Sequence, residues 1–79
     1  MARPTIKELY GVDAKEFRDP GVERFFKRRI ELLKEKKANL AEALRVADDY
    51  EEISALNEVF KYADKSLKGN IQDYEEIFG

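Results

Sequence analysis

Val46-Ala47-Asp48-Asp49-Tyr50-Glu51-Glu52-Ile53 is the stretch that decides the fold. Helical spacing of apolar residues ends at Ala47 and begins again at Ile53. Asp49 and Glu52 stand at the spacing of a capping box, so a new helix starts there. The acids also suit the positive end of that helix's dipole. A link of two or three residues between helices forces them to lie side by side and antiparallel.

Upstream of this turn the pattern is continuous. Asp19-Pro20 is a strong helix start, an N-cap followed by the residue best tolerated in the first turn. Val22, Phe26, Ile30, Leu33, Leu40, Leu44 and Ala47 then follow at helical steps and form one stripe. The spacing predicts a helix over 20–47, with Lys37 where an apolar residue belongs. Downstream, Ile53, Leu56, Phe60, Ala63 and Leu67 form a second stripe. Gly69-Asn70-Ile71 reads as a C-cap, with Gly in the left-handed position and Ile packing back. That predicts a shorter helix over 49–68. Beyond it lies a separate arm over 70–79, in which Asp73 caps a last turn carrying Tyr74, Ile77 and Phe78.

The first 18 residues form a second arm, with Thr5 and Glu8 as one start signal, Gly11 as a stop, and Asp13 and Glu16 as another start. The expected fold is all-α: an antiparallel two-helix hairpin with short flanking helical arms at both termini, in one domain over 1–79.

The turn also sets the register. Facing residues have numbers that sum to about 97 when the link is this short. Leu44 then meets Ile53, Leu40 meets Leu56 and Asn57, Lys37 meets Phe60, Leu33 meets Ala63 and Asp64, and Ile30 meets Leu67. The stem of Lys37 packs in the seam while its ammonium reaches for solvent or Asp64. The other reading of Lys37 is a polar residue that specifies register in an interface. Val22, Phe25 and Phe26 overhang the expected end of the second helix and need a cover. Leu9, Tyr10, Phe17, Tyr74, Ile77 and Phe78 on the arms are candidates. Ala55, Val59 and Tyr62 form a second apolar edge, which implies a further layer, either the arms or another subunit.

Composition narrows the function. The chain has 79 residues, 43% hydrophobic and 41% charged, with a net charge of −2 and neither histidine nor cysteine. Such a chain buries a modest core, worth about 3–5 kcal/mol without staples. Without histidine or cysteine there is no Ser-His or Cys-His pair and no zinc cluster of the usual kind. Glycines are scattered and cradle no phosphate. The acids at the turn lack the alternation of a calcium loop and read as caps. No enzyme activity, cofactor, metal or small-molecule substrate is expected. No apolar run reaches the length of a membrane span, and no leader pattern opens the chain. The expected setting is intracellular, or a virion.

The charges are divided. Residues 1–39 hold 11 basic and 7 acidic residues, net +4, and residues 40–79 hold 4 and 10, net −6. Arg24, Lys27, Arg28, Arg29, Lys34, Lys36 and Lys37 form a basic run, but Glu23, Glu31 and Glu35 interleave with it. Such a face is laced with ion pairs, so nucleic acid is a disfavoured partner, with Arg24, Lys27 and Arg28 as the surface it would need. Between molecules, the same division lets a basic face of one copy meet an acidic face of the next.

The run from Ile30 to Leu67, with Asp48-Asp49-Tyr50-Glu51-Glu52-Ile53 and then Leu56, resembles small helical-hairpin proteins of bacteriophages that have an acidic turn. Asn57 stands where that pattern has Gln. The resemblance implies a role in virion structure or assembly, and it transfers no functional residue. The leading expectation is a non-enzymatic component acting through contact with a protein partner or with itself, as a homo-oligomer or part of a larger assembly. Its expected interface is Val22, Phe25, Phe26, Val59, Tyr62, Tyr74 and Phe78. The alternative is a small inhibitor or regulator that binds a host protein through Asp48, Glu51, Glu52 and Glu58.

Overall fold

The computed structural model describes residues 4–79. In order the elements are α1 (Ile6–Tyr10), one 3₁₀ turn (Ala14–Phe17), α2 (Pro20–Val46) and α3 (Tyr50–Phe78). The two long helices pack antiparallel on each other, and the 3₁₀ turn packs on α3. Among the described residues there is no strand. The body is flat, with extents of 48 × 27 × 14 Å.

The start signals at Thr5, Asp13, Asp19 and Asp49 are working caps. The Thr5 hydroxyl accepts from Glu8 N–H, and Asp13 accepts from Lys15 N–H. Asp19 accepts from the N–H groups of Gly21 and Val22, and Asp49 accepts from Glu51 N–H. These oxygens satisfy amides that have no partner inside the helix. Gly11 closes α1 at φ 70°, a conformation only glycine takes without strain. The link is three residues, Ala47 to Asp49, and it turns the chain back as expected.

The expected stop at Gly69-Asn70-Ile71 is not used, and this corrects the second helix and the C-terminal arm. α3 runs 29 residues without interruption and is longer than α2, at 27. Gly69 does not take a positive φ. The Asn70 amide reaches back to the Ser66 carbonyl, so it stays within the helix. Asp73 lies inside α3 and starts no separate turn. The cause is tertiary. α2 begins at Pro20, and its first turns present Val22 and Phe26 opposite residues 71–78. A helix that stopped at residue 68 would leave that surface uncovered. Burial of these residues outweighs a cap worth about 1 kcal/mol.

The seam keeps the expected register. Ile30, Leu33, Leu40 and Leu44 are half-buried on the side of α2 that faces Ile53, Leu56, Phe60, Ala63 and Leu67. Lys37 reaches Asp64 at 2.6 Å and lies 5.4 Å from the centre of the Phe60 ring. Lys68 closes on the other Asp64 oxygen at 3.0 Å. Flanked by two ammonium groups, chiefly Lys37, the Asp64 carboxyl titrates below its ordinary value.

Candidate interaction surface

Helical periodicity sorts the rest of each long helix into two sides. Phe25, Leu32, Asn39 and Val46 follow one another at steps of seven, and each stands one residue before a position of the seam. On α3, Ala55, Val59, Tyr62 and Ser66 likewise stand one residue before Leu56, Phe60, Ala63 and Leu67. One residue back is a rotation of about 100° about the helix axis. Antiparallel neighbours are related by a local two-fold axis normal to their common plane. Equal rotations on the two helices therefore land on the same side of the hairpin. That side carries Phe25 at 60% exposure, Leu32 at 48%, Val46 at 70%, Val59 at 52% and Tyr62 at 75%.

The residues one step after the seam form the other side: Lys27, Glu31, Lys34 and Arg45 on α2, and Ser54, Asn57, Lys61 and Lys68 on α3. All are exposed and polar. Lys27 pairs with Glu23 at 2.9 Å, and the bond and charge of Glu23, with a lesser effect of Tyr74, raise its pKa. The hairpin is thus unequal as a layer: one face carries the large exposed apolar side chains, with Arg29 and Lys36 among them, and the other is charged and polar apart from Ala41.

At one end the apolar face is closed on its α3 half, while Phe25 on α2 stays open. Ile77 stands one residue before Phe78 and 18 residues after Val59, five helical turns along the same line. Ile77 is 3% exposed. The N-terminal arm lies against this end. The N–H of Ile6 donates to the Glu76 carboxylate at 2.9 Å, and the Gln72 amide donates to the other Glu76 oxygen. The Arg18 guanidinium donates to the carbonyls of Ile77 and Gly79, the last orphan acceptors of α3. A cation at a helix C-terminus also opposes the negative end of its dipole.

The residues expected at an interface divide in two. Phe25, Val59 and Tyr62 are open. Val22, Phe26, Tyr74 and Phe78 are half-buried within the fold, where Tyr74 and Phe78 stack at 5.1 Å and Phe25 meets Phe26 edge-on at 5.8 Å. Asp48, Glu51, Glu52 and Glu58 are exposed around the turn, and Arg24, Lys27 and Arg28 are exposed toward the other end of α2. Leu32 and Val46 belong to the open face and were missed by a search for the seam. Their spacing of seven and fourteen from Phe25 and Leu32 was the available signal. Among the described residues no group of three acids converges as a metal site, and no helix is long and apolar enough to cross a membrane.

Comparison of the chain with protein-family models, curated proteins and solved structures finds no match.

Proposed function

We propose that the protein is a non-enzymatic structural or assembly component that works by protein–protein contact in several copies, as a small part of a virion or of its assembly. One observation carries this reading: an apolar face shared by both long helices and left open over most of its length. Domains are built from packed layers, and a layer with one apolar side needs a second layer. The arm supplies one only at the end of α3. An open apolar patch ringed by charge is the usual mark of a protein contact.

Light scattering after size exclusion tests the reading. Several copies per particle are expected, and Val59→Asp, which places a charge on the open face, reduces them to one. A wild-type chain that stays monomeric at every concentration sinks the proposal. The exposed acids Asp48, Glu51, Glu52 and Glu58 favour one other reading, an inhibitor that docks a basic surface of a host protein. In that case the free chain is monomeric, and Glu51→Lys weakens binding to the partner.

A further inference from the structure

We infer that the cover of the open face is a second copy of this chain, bound face to face about a two-fold axis that runs across the helices and passes near Asn39 and Val59. The inference rests on the assembly reading above and adds to it the partner, the face and the register.

Two isologous arrangements can bury such a face. With the axis along the hairpin, α2 covers the partner's α3, and both arms fall at the same end, between the layers. With the axis across the hairpin, α2 covers its own copy antiparallel, α3 does the same, and the arms fall at opposite ends. The arm already occupies the face at Ile77. Only the second arrangement leaves it room.

The arm also displaces the axis toward the turn. An axis through the middle of α2 drives each turn into the other copy's arm. Moving it to Asn39 sets each turn down short of the arm. Leu32 then meets Val46 of the other copy, and Asn39 meets its own equivalent. A lone Asn in an otherwise apolar stripe at steps of seven is the device that fixes register in paired helices, because any shift buries it against an apolar side chain. On α3, Val59 meets its own equivalent and Ala55 meets Tyr62.

Charge agrees with this register. On α3, residues 50–58 carry three acidic residues and no basic one, and residues 60–68 carry three basic and one acidic. Antiparallel self-pairing of α3 about Val59 therefore sets each basic segment on an acidic one. Lys65 comes opposite Glu52, and on α2 Lys36 comes opposite Glu42. A central axis between Leu32 and Asn39 pairs Leu32 with Asn39 instead, which wastes both.

The chain has no cysteine, so a single introduced thiol reports on one position. Disulfides form only when the two Cα atoms lie within about 7 Å. Asn39→Cys and Val59→Cys, each alone, are expected to convert to disulfide-linked dimers under mild oxidation, and Lys61→Cys, on the charged face, is not. The wild-type dimer is also expected to weaken as salt rises. All three positions are exposed, and circular dichroism checks that each variant is folded. A wild-type oligomer whose Asn39→Cys and Val59→Cys forms link no faster than Lys61→Cys overturns this arrangement and leaves the assembly reading standing. A wild-type monomer at all concentrations overturns both.

Discussion

Val59 and Ile77 point the same way from the same helix, five turns apart, and one is 52% exposed while the other is 3% exposed. Sequence type does not separate them, since both are β-branched and apolar. What separates them is the arm. At the C-terminal end of α3 the chain supplies its own second layer, fastened by Glu76 and Arg18. In the middle none of the described residues covers Val59 or Tyr62. The closed end therefore serves stability and the open middle is left for contact, and single substitutions can pull the two apart.

The largest effect is expected at the closed end. Ile77→Ala removes a buried side chain and costs about 2–4 kcal/mol in urea unfolding. That is most of the stability of a chain this small. Val59→Ala, measured on dilute monomer, changes stability by less than about 0.5 kcal/mol. Equal costs at the two positions break the comparison, for they mean that the arm does not protect Ile77.

Next in size is the fastening. Arg18→Ala leaves the last carbonyls of α3 without their donor and costs about 1–2 kcal/mol. Its second readout is specific to the arm. Hydrogen exchange of amides from Ile6 to Phe17 accelerates more than exchange in the seam around Leu40 and Leu56. Opened in this way, the face at Ile77 becomes a continuation of the face at Val59, and the variant self-associates more than wild type does.

A smaller gain is expected at Gly69, and it bears on what the sequence made legible. Caps at Thr5, Asp13, Asp19 and Asp49 were readable because each is a local bond, two or three residues long. The register was readable because a three-residue link leaves little freedom, and Lys37 finding Asp64 and Phe60 follows from it. The stop at Gly69-Asn70-Ile71 was misread because its local preference is small and the reason against it is distant: Val22 and Phe26, more than 40 residues away, must be covered. Arg18 and Glu76 were invisible for the same reason, as their bonds span 59 and 70 residues. The open face was half legible: Val59 and Tyr62 stood out as a second edge, but its α2 half, Leu32 and Val46, did not. Gly69→Ala distinguishes the two geometries. In a continuous helix it raises stability by about 0.5–1 kcal/mol, and at a left-handed cap it lowers it.

The smallest effect concerns the part-exposed ion pair beside the buried Ala63 and Leu67 in the middle of α3. Asp64 lies between Lys37 and Lys68, and its folded pKa is below the ordinary value of 3.8. A carboxyl whose pKa falls on folding stabilises the fold above its unfolded pKa, and that stabilisation is lost as pH drops through the folded value. Asp64→Asn is therefore less stable than wild type near neutral pH. The gap closes below about pH 4, and salt narrows it as well, because the pair is in reach of solvent. Urea midpoints of the two chains across this range measure it. A gap that persists in acid would mean that Asp64 acts by packing and not by charge.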